Sequence, residues 1–180
     1  APPAPSEERE FEDGEFKIRP LCRVRDRTAV IVQPLCAAGG LSVNDILLRV
    51  FCLIGALRDA GATRLHLIAP YLCYARKDRR TKSRDPLSLR YLAQLFEAMH
   101  LDRIVVAEVH NPAAFENAFR IPASYLDTTQ VLADRLAARF AGELAAGSMA
   151  IATPDIGGAK RAEELRRQLA ARTDREPAFA

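Results

Sequence analysis

Four short apolar runs, most of them followed by a helical period, constrain this chain more than any other feature. Thr28-Ala29-Val30-Ile31-Val32-Gln33 is a β-branched run ending at Pro34, and Leu65 to Ala69 is an apolar run that meets Pro70. Ile104-Val105-Val106-Ala107-Glu108-Val109 stays apolar until Glu108, and Met149-Ala150-Ile151-Ala152-Thr153 is the fourth. After the first run, Val43, Ile46, Leu47, Val50, Phe51, Ile54 and Leu57 recur at the i, i+3, i+4, i+7 spacing of a helix face laid on a sheet. Ser42 is its natural N-cap and Gly61 closes it. Asp85-Pro86 reads as the cap and first helical position of a second helix carrying Leu92, Leu95, Phe96 and Met99. Two less regular pieces, Pro112 to Phe119 and a helix from Thr128 to Phe140, follow the third run, and Pro154 to Gly158 opens a last helix through about Ala171. This alternation predicts an α/β fold, a mainly parallel sheet flanked by helices, with the ligand site at the loops leaving the strand carboxyl ends. The third run, uniformly apolar, reads as a strand covered on both faces.

Composition narrows the function class. With 180 residues, 49% of them hydrophobic, the chain has material for a sizeable core, and no window approaches the roughly 20 apolar residues of a membrane span. A soluble protein without a membrane partner is expected. A net charge of +3, from 26 basic and 23 acidic side chains, is too small to argue for nucleic acid as a partner. Cys22, Cys36, Cys52 and Cys73 form no CxxC pair and no zinc-like spacing, so they read as reduced thiols of a cytoplasmic protein, with Cys52 a core residue of the first helix. The opening Ala1-Pro2-Pro3-Ala4-Pro5 has no signal-peptide character and no initiator Met, which reads as processing or trimming.

Four polar constellations fall on the predicted loops. Residues 76–84 carry six basic side chains, Arg76, Lys77, Arg79, Arg80, Lys82 and Arg84. A solvated loop is the plain alternative, but directly after a buried strand such guanidinium groups suit bidentate binding of phosphate oxygens, and a polyphosphate explains the density better. His110, with Glu108 and Asn111 at the end of the third strand, suits a divalent metal held between protein and phosphates. Thr153-Pro154-Asp155-Ile156-Gly157-Gly158 sets two glycines at a helix start, where backbone amides can approach an anion and Asp155 can reach a metal or its waters. Phe11-Glu12-Asp13-Gly14-Glu15 is by itself a hairpin turn between edge strands.

In order and spacing, these motifs together with Tyr74 to Arg79 and Thr153 to Arg161 resemble the ribose-phosphate diphosphokinase (phosphoribosyl diphosphate synthase) family, from about Arg9 to Gln168. The resemblance implies phosphoribosyltransferase-like α/β domains and transfer of the diphosphoryl group of MgATP to O1 of ribose 5-phosphate, giving 5-phosphoribosyl 1-diphosphate and AMP. It implies that Phe11, Asp13, Gly14 and Glu15 contact the ATP base, in the family serving a neighbouring subunit's site. Arg76 and Lys77 would contact ATP, with Arg76 toward the phosphates, and His110 and Asp155 would be the magnesium positions. A dimer-based homo-oligomer, up to a hexamer, is implied as well. The rival within the resemblance is a noncatalytic regulatory subunit associated with the enzyme.

The chain also departs from the family pattern. Lys77 stands where Gln is usual and Glu108 where Asp is usual, Asn111 to Ala118 differs, and about four extra residues lie around Ala38 to Ser42. A first strand and helix, and the catalytic Lys/Arg loop and ribose 5-phosphate loop expected beyond Ala180, are not in the sequence, so its catalytic residues are not assigned. The expected organisation is an ATP-side domain over residues 1–146, lacking its first strand, and the truncated opening of a second domain over residues 147–180.

Overall fold

The computed structural model describes residues 2–173 and 175–180. The chain divides into two compact units, Ala1–Leu126 and Asp127–Ala180. The boundary expected at 146/147 falls inside the second.

The first unit begins with an antiparallel hairpin, β1 (Ser6–Glu10) and β2 (Phe16–Pro20), whose register sets Glu10 opposite Phe16. A four-stranded parallel sheet follows, built from β3 (Thr28–Val32), β4 (Arg64–Ala69), β5 (Arg103–Ala107) and β6 (Ala123–Leu126) in that spatial order. The crossovers are α1 (Val43–Asp59), α2 (Ser88–Ala98) and α3 (Pro112–Ala118). Ile31 pairs with Leu67 and Leu67 with Ile104, so three buried side chains run across one face. Phe51 of α1 and Phe96 of α2 meet there at 4.9 Å between ring centres.

Strands joined in sequential order by crossovers of one hand place their helices on the same side. That side is sealed, whereas the other is only partly covered: on β5, Ile104 and Val106 are buried but Val105 and Ala107 are half-buried, and on β3, Val30 and Val32 are exposed. The expectation of a strand covered on both faces is corrected accordingly.

α1 forms as its spacing predicts. Ser42 accepts from the Asp45 amide while the Asp45 carboxylate accepts from the Ser42 amide at 2.8 Å, a reciprocal capping box, and Ile46, Val50, Ile54 and Leu57 are its buried apolar residues. Cys52 is exposed, contrary to expectation, because two residues turn a helix by about 200° and set it opposite both Val50 and Ile54. The buried thiol is Cys73. The extra residues after β3 close on themselves: Ala38 and Leu41 bond reciprocally, with Gly39 and Gly40 at φ of 59° and 83°, backbone angles that side chains disfavour.

The second unit holds α4 (Thr129–Arg139), α5 (Ala141–Ala146), α6 (Ala159–Thr173) and a short parallel pair, β7 (Ala150–Ile151) with β8 (Ala178–Phe179). Ala133, Leu144, Ile151 and Leu169 form its core. Its strand is shorter than the expected Met149 to Thr153, and its last helix starts at Ala159, so Pro154 to Gly158 form a turn ahead of the helix. Among the described residues no helix is long and apolar enough to cross a membrane.

Candidate functional site

The parallel sheet sends the loops after β3, β4 and β5 from one edge, its carboxyl edge, and two of the four constellations lie there. The basic segment follows β4. Leu72, Cys73 and Ala75 are buried and anchor its start, and Tyr74 between them takes a left-handed φ of 57° and donates its hydroxyl proton to Asn44 Oδ1 on α1. Arg76 is then exposed, with no ion-pair partner among the described residues. Lys77 is not free: its Nζ donates to Asp85 at 2.7 Å and to Thr81 at 3.2 Å.

Asp85 is not the helix cap that its place before Pro86 suggests. α2 starts at Ser88 without a side-chain cap, and the Asp85 carboxylate instead turns back to accept from the Thr81 hydroxyl and from the Thr81 and Lys82 amides at 2.7, 3.0 and 2.9 Å. These donors, the Lys77 ammonium first, hold the Asp85 carboxyl far below the usual carboxylate range.

After β5, the neighbour of β4, the chain bends sharply. The strand ends at Ala107, earlier than the apolar run, because Glu108 takes a left-handed φ of 61° while its amide donates to the Leu126 carbonyl at 3.1 Å. A non-glycine residue held in that conformation is uncommon and is frequent at functional turns. His110 is exposed just beyond it, and Asn111 caps α3 by accepting from the Ala114 amide at 3.2 Å.

The Phe11 to Glu15 segment forms the expected hairpin turn. The Phe11 amide donates to the Glu15 carbonyl at 2.7 Å, the Gly14 amide donates to the Phe11 carbonyl at 3.0 Å, and the Asp13 carboxylate accepts from the Glu15 amide at 3.1 Å. Phe11 is exposed, with the Arg9 guanidinium 5.3 Å from its ring centre. The hairpin docks on α1 through Arg49, which pairs with Glu8 and with Glu10 at 3.6 Å and stacks 4.5 Å from the Phe16 ring centre.

Asp155 lies in the second unit, in a turn of its own. Its carboxylate accepts from the Gly158 amide at 3.0 Å, and its carbonyl accepts from the Thr153 hydroxyl at 2.8 Å. A Cβ on Gly158 would collide with the Thr153 hydroxyl, so a larger residue there requires that hydroxyl to shift. The structure thus groups Arg76, Lys77 and His110 on loops from adjacent strand ends, sets the Phe11 to Glu15 turn on a hairpin of the same unit, and carries Asp155 in the other unit.

Two sets of contacts were not foreseen from the sequence, the Lys77–Asp85 pair and those of Arg49. Lys77 and Asp85, eight residues apart in a loop, follow no periodic spacing. Arg49 did leave a signal, a cation among buried helix positions facing acids two residues apart on one strand, Glu8 and Glu10.

Residues 1–99 match the model of the N-terminal domain of ribose phosphate pyrophosphokinase. The chain belongs to the ribose-phosphate pyrophosphokinase family. The Gloeobacter violaceus ribose-phosphate pyrophosphokinase is 32% identical over 167 residues, 93% of this chain and 47% of that protein. The chloroplastic ribose-phosphate pyrophosphokinase 2 of Oryza sativa is 30% identical over 88% of this chain and 38% of its own length. Among solved structures, phosphoribosylpyrophosphate synthetase from Mycobacterium smegmatis superposes with a TM-score of 0.74 at 26% identity, over 98% of this chain and 55% of that one. The phosphoribosyltransferase-type α/β fold is that of the family, and the chain spans about half the length, or less, of these curated relatives.

Proposed function

We propose that the protein containing this chain is a ribose-phosphate pyrophosphokinase, transferring the diphosphoryl group of ATP to O1 of ribose 5-phosphate to yield 5-phosphoribosyl 1-diphosphate and AMP. The observation that carries this reading is the family match over residues 1–99 together with a basic segment and His110 at the carboxyl edge of one parallel sheet. Residues 1–146 then supply the ATP side, and residues 147–180 open the second domain.

Diphosphoryl transfer asks a protein mainly to position the attacking hydroxyl in line and to neutralise charge. Exposed Arg76, rooted beside buried Ala75, offers a fork of donors to phosphate oxygens, a contact that strengthens as charge moves toward the leaving AMP. Phe11, with Asp13, Gly14 and Glu15, presents an aromatic face and a turn suited to a nucleotide base. An exposed loop of this kind suits service to a neighbouring subunit's site, as in a dimer-based homo-oligomer.

Magnesium fits the donor set. His110 offers one exposed imidazole and Asp155 one exposed carboxylate, and magnesium takes few protein ligands while keeping waters and substrate oxygens. Magnesium would find one position at His110 and another at Asp155. When bound, it would neutralise charge on the phosphate oxygens. Four unpaired cysteines favour a cytoplasmic setting.

The test is direct: the protein as its gene encodes it is incubated with ribose 5-phosphate, ATP and magnesium, and AMP and 5-phosphoribosyl 1-diphosphate are quantified. Equal yields of both, dependent on ribose 5-phosphate, are expected. Absence of both from a folded, correctly assembled protein overturns the reading in favour of a regulatory subunit.

A further inference from the structure

The basic segment carries six cations, yet the side chains of two of them, Lys77 and Arg80, donate to Asp85, and the commitment bears on which cation meets a ligand. A single Asp85 carboxylate oxygen accepts from the Lys77 ammonium, the Thr81 hydroxyl and the Thr81 and Lys82 amides, all between 2.7 and 3.0 Å. The Asp85 backbone joins in, its carbonyl accepting from Arg80 Nε at 3.1 Å and its amide donating to the Lys82 carbonyl at 3.2 Å. Residues 77–85 are thereby closed into a ring around one side chain, with Arg84 in a left-handed φ of 68° at the tight end.

The ring is also tied to the scaffold. The Lys77 amide donates to the Tyr74 carbonyl, and the Lys77 carbonyl accepts from the Leu89 amide at the start of α2, each at 3.4 Å. Arg76 therefore sits between buried Ala75 and a lysine fixed at both its backbone and its ammonium. Its own side chain is exposed and has no ion-pair partner among the described residues.

We infer that Asp85 is a positioning residue of the phosphate-binding segment: it takes up the charge of Lys77 and locks residues 77–85, so that Arg76, and not Lys77, is the cation presented to the nucleotide's phosphates. This deepens the proposed function and rests on it. An ammonium already satisfied by a carboxylate and a hydroxyl must break that pair to reach a ligand, whereas the Arg76 fork has nothing to give up. The Lys77–Asp85 pair is neutral as a unit, which fits an internal role for Lys77.

The test uses the whole protein with Asp85→Asn, Asp85→Glu, Lys77→Gln and the Lys77→Gln/Asp85→Asn pair. Without substrate, trypsin cleavage after Arg79, Arg80, Lys82 and Arg84 is followed by mass spectrometry. Asp85→Asn is expected to be cut there about tenfold faster, as opening of a local lock predicts, and Asp85→Glu less so. In the assay Asp85→Asn is expected to raise KM for ATP about tenfold with kcat within about twofold, as a misplaced binding group should. The double variant should resemble Lys77→Gln alone, because both substitutions break the same pair. Unchanged trypsin resistance in Asp85→Asn, a lowered KM for ATP in it, or multiplying effects of the two substitutions would each overturn the inference. A folded parent protein with no synthesis overturns the proposed reaction instead, and the trypsin arm still decides whether Asp85 is the lock.

Discussion

The guanidinium of Arg49, on α1, lies over the ring of Phe16, on β2, at 4.5 Å, while the same group pairs with Glu8 on β1. Its Nε is buried without a hydrogen-bond partner, as expected for a group stacked on a ring face. One side chain thus pins both strands of the hairpin that presents Phe11 to Glu15.

Arg49→Ala is expected to destabilise the first unit by about 1–3 kcal/mol, combining the lost stacking with the lost packing of the stem. Arg49→Lys should recover little, since an ammonium cannot stack and fork at once. Thermal melting and amide exchange in residues 6–20 measure both effects. Exchange as slow as in the unaltered protein would contradict the pinning role.

His110 is exposed at a strand end, so His110→Ala should melt within a degree or two of the parent. Turnover should fall about 10–100-fold, with the magnesium concentration for half-maximal rate raised, if the imidazole serves the metal. The readout is rate against magnesium concentration. A parallel loss of folding would point to structure instead.

Burial pushes the Cys73 thiol from an ordinary 9.0 up to about 11, whereas Cys52 is exposed. Iodoacetamide at pH 8 should modify Cys52 first and Cys73 last, because only thiolate reacts and two pKa units remove about 99% of it. Peptide mapping over a time course gives the order.

Asp85 titrates below its ordinary 3.8 because Lys77, Thr81 and the Thr81 and Lys82 amides favour the charged form. A depressed folded-state value makes the contribution complete above the unfolded value and lost as pH falls through the lower one. Exchange protection of the Thr81 and Lys82 amides should therefore persist at pH 5 and disappear only well below 3.8. Loss between pH 6 and 5 would show that another group holds the loop.

Gly158→Ala should cost the second unit about 1–3 kcal/mol, as the new methyl displaces the Thr153 hydroxyl from the Asp155 carbonyl. Removing the obstacle as well, in Thr153→Ala/Gly158→Ala, should recover part of the melting temperature. No recovery would place the strain elsewhere in the turn.

Features with a local cause were legible in the sequence. The Ser42 cap and the apolar spacing from Val43 to Leu57 place α1 almost to the residue, because capping and period act within a few positions. The alternation of runs and helices determined the parallel sheet, and the loop chemistry marked Arg76 and His110 at its carboxyl edge. The burial tendency of free cysteine misplaces Cys52, which the helical period sets opposite Val50 and Ile54. Tertiary structure alone decided that Asp85 turns back to Lys77 instead of capping α2, that Glu108 ends β5 early in a left-handed bend, and that Arg49 reaches across to Glu8 and Phe16. Each of these depends on partners brought together by chain folding, in a loop without period or between segments at least 18 residues apart, where no local propensity records the pairing.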